Sequence, residues 1–232
     1  MKLKSNEIEI IRVYDAPVKL VWEAWTDLKH VEKWWGPRGF TLTTKSKDFS
    51  PGGKWIYTMH GPDGTDYPNI ATYHEIIPYE KLVYDHGGNE DRPKLFSVIV
   101  SFKEDRGKTV MCMRTILPTA EEAKTMMQFI RQANGTSTWD RLGEFLIEKT
   151  QNRAVFCISR LFTADKNRVV EAFSNTEKRE SWLLPEESGL SVLDCDFQKS
   201  DRALWTVKLK GMKFKARASI HFVAMDSMET RI

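Results

Sequence analysis

Few side chains in this sequence are placed to do chemistry. His74-Glu75 and Asp85-His86 each set an acid beside a base. Neighbours on an extended strand point to opposite faces, so neither pair can share a proton directly. A cross-strand pairing of Glu75 with His86 or Tyr84 would be needed to orient a carbonyl or phenol. The five histidines form no HxH or HxxxH pair and no carboxylates cluster, so no metal site is expected. Cys112, Cys157 and Cys195 give an odd count with no CxxC spacing, which argues against a disulfide framework or zinc knuckle and for buried free thiols. Gly52-Gly53 and Gly61-Pro62-Asp63-Gly64 sit between alternating segments rather than at a strand-to-helix junction, so they read as turns and not phosphate cradles. No cofactor is expected and no catalytic residue is assigned.

The 232 residues are 41% hydrophobic and 29% charged, the composition of an ordinary globular protein. No run reaches the roughly 18 apolar residues of a membrane helix, and the start lacks a signal-like apolar stretch, so a cytoplasmic protein without a membrane span is expected. Up to Thr150 there are 21 basic and 21 acidic residues, and 14 and 11 after it. The later excess gathers at Lys208, Lys210, Lys213, Lys215 and Arg217, which lack the interleaved aromatics of a nucleic-acid surface and read as a solvated strand face.

The sequence also repeats itself. At an offset of 148, residues 8–49 align with 156–197 without a gap, and 12 of the 42 pairs are identical, Arg12/Arg160, Ala24/Ala172 and Trp34/Trp182 among them. A two-residue slip then sets Trp55 on Trp205. Similarity of this length implies two copies of one domain, a complete one over 1–150 and a partial one over 151–232 that lacks the last strands and the closing helix. A sheet so shortened would expose an apolar face at Trp205, Val207 and Leu209. Such a face needs a cover, either copy one or the same region of another chain, and the second cover would make a homo-oligomer.

Period-two patterning predicts strands at 7–14, 40–49, 54–60, 70–77, 82–86, 95–103 and 109–116. Pro17 opens a helix whose face is Val18, Val21, Trp22 and Trp25, and a second short helix runs over 28–35 to Gly36-Pro37. Thr119 with Glu122 forms a capping box before Ala123, Met127 and Ile130, and after a break near Gly135 the face Trp139, Leu142, Leu146 resumes. This amphipathic helix has only the concave face of an antiparallel sheet to lie on, which gives an α+β domain.

The stretch Arg12 to Trp25, then Lys33-Trp34-Trp35-Gly36-Pro37 with Gly39-Phe40, Gly52-Gly53 with Trp55, Met59-His60-Gly61-Pro62-Asp63-Gly64, Tyr73 with Glu75-Ile76, and Gly135 with Trp139 and Leu142 resemble the bacterial START-like (SRPBCC) proteins. They are most similar to the branch named for the C-terminal domain of the heat-shock ATPase activator, which also holds the calicheamicin-resistance type. The resemblance implies a helix-grip fold, a curved antiparallel sheet wrapped around a long C-terminal helix, with an internal cavity for a small hydrophobic, aromatic or lipid-like molecule. In such a fold the cavity wall would comprise Trp55, Tyr57, Met59, Tyr73, Leu82, Tyr84, His86, Phe96, Val98, Met127 and Trp139. Trp35 would be a lid over its mouth and Trp34 a staple. Cavities of this kind span about 300–1,000 Å³. The expected function is ligand binding without catalysis. The alternatives are an enzyme of cyclase or hydrolase type, which would need a polar cavity residue with a shifted pKa, and a module that contacts a chaperone ATPase through the sheet's outer face.

Overall fold

The computed structural model describes residues 3–132, 137–151, 162, 164–183, 190–197, 202–209 and 216–221. The chain divides into two compact units, Met1–Ser159 and Arg160–Ile232.

The first unit opens with strand β1 (Glu7–Tyr14) and helices α1 (Val18–Thr26) and α2 (Leu28–Trp34). Pro17 is the N-cap of α1 rather than its first residue, and its fixed φ of −61° sets the entry. The α1 face is Val21, Trp22, Ala24 and Trp25, all buried. Asp27 ends α1 and starts α2: its amide donates to the Glu23 carbonyl, and its side chain accepts from the Lys29 and His30 amides. Gly36 follows with φ +97°, a conformation only glycine takes without strain.

Six strands come next: β2 (Thr41–Lys47), β3 (Lys54–His60), β4 (Asp66–Ile77), β5 (Lys81–Gly87), β6 (Phe96–Asp105) and β7 (Lys108–Ile116). With β1 they form one antiparallel sheet in the order β1-β7-β6-β5-β4-β3-β2. The capping box forms as expected: the Glu122 amide donates to Thr119 Oγ1 at 3.2 Å, and the Thr119 amide donates back to Glu122 Oε2 at 3.0 Å. It starts α3 (Ala120–Gln132), and α4 (Ser137–Gln151) follows. The break expected near Gly135 lies outside the described residues. Helix α4 buries Trp139, Leu142, Phe145 and Leu146 against α1, α2 and β1, so it is the gripped helix of an α+β helix-grip fold.

The second unit holds α5 (Lys166–Ser174), α6 (Thr176–Leu183) and a three-stranded antiparallel sheet ordered β10 (Ala216–His221), β9 (Arg202–Leu209), β8 (Leu190–Phe197). Its details recur at the offset of 148. The β2/β3 ladder slips between Thr44 and Ser46, and the β8/β9 ladder slips between Val192 and Asp194. Trp34 Nε1 donates to the Ala24 carbonyl, and Trp182 Nε1 to that of Ala172. Lys47 and Ala71 flank Trp55 in register, as Cys195 and Ala218 flank Trp205.

At Trp205 the apolar face is covered from within its own unit. Trp205 is 4% exposed, because Phe173 packs 5.7 Å from its ring and the Arg179 guanidinium lies over it at 5.7 Å. The side chains of Val207 and Leu209 lie outside the described residues, as do Lys210, Lys213, Lys215 and Cys157. Cys112 is a free thiol, but half-buried rather than buried, since it sits on the sheet's outer face. Burial and the neighbouring Glu9 push its pKa up to about 11. No helix among the described residues is long and apolar enough to cross a membrane.

Candidate functional site

The concave face of the first unit's sheet, α1, α2 and α4 enclose an interior of aromatic rings. Trp25 stacks on Trp139 at 5.6 Å, Trp55 on Tyr57 at 4.1 Å, and Trp35 meets Trp25, Trp34, Trp55 and Trp139 edge to face. Such pairs each add roughly 0.5–1.5 kcal/mol beyond burial. Among them lies a space bounded by Trp25, Trp35, Phe49, Trp55, Ala71, Tyr73, Leu82 and Tyr84, of about 10 Å³. That is room for about one water molecule, far below the expected cavity. Periodicity along a strand reports which side chains face inward, and is silent on whether they fill the space they enclose.

Five of the expected wall residues, Trp35, Trp55, Tyr73, Leu82 and Tyr84, bound this space. Tyr57 and Trp139 are buried beside it, and Met59 and Val98 belong to the same core. His86 and Phe96 stack on each other at 4.7 Å, and Phe96 bridges to a separate small core of Ile8, Leu117 and Ala123. Met127 packs in that small core, because α3 rather than α4 carries it. Sequence reasoning assigned Trp25 to helix packing and passed over Phe49 and Ala71. Trp25 was legible as an inward position of α1. Alternation sets Phe49 at the end of a strand over 40–49, whereas β2 stops at Lys47, so its direction does not follow from the alternation.

The polar groups of the interior are unevenly matched. Trp35 Nε1 donates to Tyr57 Oη at 3.2 Å, so this indole is turned inward, and Trp34, fully buried, is the staple. The Trp25 indole N–H is buried without a partner. Tyr73 and Tyr84 are each 5% exposed, and their hydroxyls have no hydrogen-bond partner among the described residues. Burial raises the pKa of Tyr57, Tyr73 and Tyr84, so they stay neutral phenols. His86 is pushed the other way, down to about 4, also by burial, and is a neutral and weak base at pH 7.

The expected acid–base pairings rearrange. A bulge between Tyr73 and Glu75 gives His74 an unpaired place in the ladder, and its Nε2 meets Asp85 Oδ2 at 2.9 Å on the outer face. Lys94 Nζ lies 3.1 Å from Asp85 Oδ1, and Ser97 Oγ donates to the same oxygen at 2.7 Å. Burial works to raise the Asp85 pKa, but these hydrogen bonds outweigh it and hold it below the usual carboxylate value. Glu75 pairs instead with Lys81 at 2.8 Å, not with His86 or Tyr84. Ser97 donates to the carboxylate rather than to the imidazole, so nothing activates it as a nucleophile.

Two arginines that the sequence did not single out fix the loop after α2. Arg141 on α4 donates to the carbonyls of Lys33, Gly36, Pro37 and Phe40. Arg38 forms a two-pronged pair with Glu144, one arm at 3.1 Å. Together they hold Trp35 over the interior from the backbone side. Among the described residues no three His, Cys, Asp or Glu side chains gather as a metal site would require.

Solved structures share this architecture. A protein from Nitrosomonas europaea is 20% identical with a TM-score of 0.57, covering 65% of this chain and 100% of its own. One from Mycobacterium smegmatis is 23% identical at 0.58, covering 64% and 95%, and one from Arthrobacter aurescens is 26% identical at 0.56, covering 62% and 87%. No curated protein matches the sequence. The family described as Activator of Hsp90 ATPase homolog 1-like protein matches residues 15–146, from the turn before α1 to the buried end of the α4 face. With the helix-grip sheet, the aromatic interior and more than half of its length inside that match, the chain belongs to this family.

Proposed function

We propose that the first unit binds a small aromatic molecule bearing an oxygen, with the Trp35 ring giving way to admit it. The observation that carries this reading is the small space itself, bounded by Trp25, whose buried indole N–H has no partner, and by Tyr73 and Tyr84, whose hydroxyls make no hydrogen bond to another described residue. A buried polar group without a partner costs roughly 1–3 kcal/mol, and a ligand oxygen that accepted from the Trp25 N–H would recover that cost. Trp35 is the ring with the means to move. Arg141 holds its backbone at the Gly36 carbonyl, but a single hydrogen bond, to Tyr57, holds its indole, so rotation of the side chain can free the ring. A ring entering in its place would stack on Trp55 and Trp139 and offer its oxygen to the three donors.

Naphthol titration followed by tryptophan fluorescence and native mass spectrometry tests this. Stoichiometric binding is expected, tenfold weaker or more in Tyr73→Phe/Tyr84→Phe and tighter in Trp35→Ala. No binding to either the wild type or Trp35→Ala refutes it.

A second reading, contact with a heat-shock ATPase, draws on the family's description and on an open groove of about 380 Å³ on the outer face, between Ile56, Thr58 and Ile70 and the loop at Gly88 to Asp91. It predicts a changed ATPase rate when this protein is added to a purified chaperone of that class, and loss of the change in Ile56→Asp.

The recurring ladder slip, indole staple and Trp–Ala register support a further proposal, that α5 to β10 is a second copy of α1 to β4.

A further inference from the structure

We propose that Lys47 is a reactive amine that captures aromatic aldehydes as imines beside the first unit's aromatic interior. Lys47 stands opposite Trp55 in the β2/β3 ladder. Its Nζ lies 4.8 Å from the centroid of the Trp55 ring and 5.6 Å from that of Phe49, two rings that bound the interior space. Its hydrogen-bond partner is the carbonyl of Thr26, the last residue of α1, at 2.8 Å. Among the described residues no carboxylate is close enough to form an ion pair with it. Asp27 and Glu32 act on it only from a distance, and Asp27 Oδ1 is already spent on the amides of Lys29 and His30.

A lysine serving only as a surface charge would keep its head in water or against a carboxylate. This one is drawn in over two rings with a single neutral acceptor, contacts that suit its charged form, so the neutral amine comes from its burial. Burial is the leading cause that brings its pKa down to about 8, against the pull of Asp27 and Glu32 toward the charged form. Roughly a fifth of the molecules would then carry the neutral amine at pH 7.4, against about one in a thousand for an ordinary lysine.

The chemistry balances without an oxidant or reductant. The Nζ lone pair attacks the aldehyde carbon, a C–N bond forms, and the carbonyl oxygen takes up a proton to give a carbinolamine. That hydroxyl leaves as water, the nitrogen loses its proton, and a C=N bond remains. The net change is amine plus aldehyde to imine plus water. An aldehyde whose ring takes the place of Trp35 would lie against Trp55, whose ring centroid is 4.8 Å from the nitrogen that attacks it, which raises the effective concentration of the pair.

The proposal rests on the aromatic-binding reading for the docking of the ring, and one experiment separates the two. The full chain is incubated with naphthaldehyde and cyanoborohydride, and each lysine's labelling rate is read by peptide mass spectrometry. Lys47 is expected to label at least tenfold faster than the exposed Lys45 and Lys54, with a rate rising through a midpoint near pH 8 and abolished at that site in Lys47→Arg. A purely structural lysine, being half-buried, would label more slowly than they do. Labelling of Lys47 no faster than Lys45 or Lys54 overturns the proposal. Naphthol has no carbonyl, so naphthol binding without preferential Lys47 labelling sinks the amine chemistry and leaves the binding site standing. Preferential labelling without naphthol binding does the reverse.

Discussion

In the first unit the indole N–H of Trp34 donates to the Ala24 carbonyl at 2.9 Å, and in the second that of Trp182 donates to Ala172 at 3.2 Å. A matching bond joins two successive helices in each unit, yet Trp34 is 0% exposed and Trp182 44%. The difference lies in what covers them. Trp34 meets Trp25, Trp35 and Trp139, the last supplied by α4, whereas Trp182 meets Phe173 at 4.6 Å and no helix like α4 is found among the described residues of its unit. The position of Val31, fully buried, becomes Arg179, whose guanidinium lies over Trp205 and donates to the Phe173 carbonyl. A hydrogen-bonded framework thus persists where the apolar closure differs, with a cation on an aromatic face in place of a packed valine.

The largest way to break this comparison is to exchange those residues. Val31→Arg forces a charge and extra volume into the first core, and is expected to cost about 5 kcal/mol or more. Arg179→Val removes a cation–π contact at a partly open site, and is expected to cost about 1 kcal/mol or less. Hydrogen exchange, read peptide by peptide in the full chain, reports each unit's opening free energy separately. Comparable losses would mean that the second core is as closed as the first. Next come the staples themselves: Trp34→Ala should cost about 3–5 kcal/mol, as a buried tryptophan does, and Trp182→Ala less than about 1.5.

These contrasts also mark what could be read from the sequence. The strand at 54–60, the turn at Gly64 with φ +83°, and the Thr119/Glu122 box were legible because each rests on residues within a few positions of one another. Trp34 as staple was legible because the repeat showed it twice. The His74 bulge, the hold of Arg141 on the loop after α2 and the seat of Lys47 over Trp55 were not, since each joins segments whose register only the folded sheet sets. Whether the inward aromatics left a hollow was illegible for another reason: the pattern of inward positions is the same for a filled core and an empty one.

Acid should loosen the first unit through His86. Its folded pKa, about 4, lies below the unfolded value near 6.5, so between those pH values the unfolded chain binds the proton more readily. Stability is therefore retained above pH 6.5 and falls as pH drops toward 4. By that linkage the loss at pH 5 is about 2 kcal/mol relative to neutral pH. Denaturant midpoints of wild type and His86→Phe, which keeps the stack on Phe96, should converge in acid as the variant escapes this loss. An equal acid dependence in both would assign the effect to other groups.

The smallest effect sharpens the comparison most, because it should be equal in the two units. Asp27 caps α2 through the amides of Lys29 and His30, and Asn175, at the matching position, caps α6 through the amide of Lys178. A cap acts within one turn of backbone and owes nothing to what lies across the core, so Asp27→Ala and Asn175→Ala should each cost about 1 kcal/mol. Equal cap losses beside unequal staple losses would show that the second unit kept the local bonds and changed only their burial. If Asn175→Ala instead has no effect, the helix ends of the second unit are held by contacts beyond its own turn, and its likeness to the first is one of sequence more than of energetics.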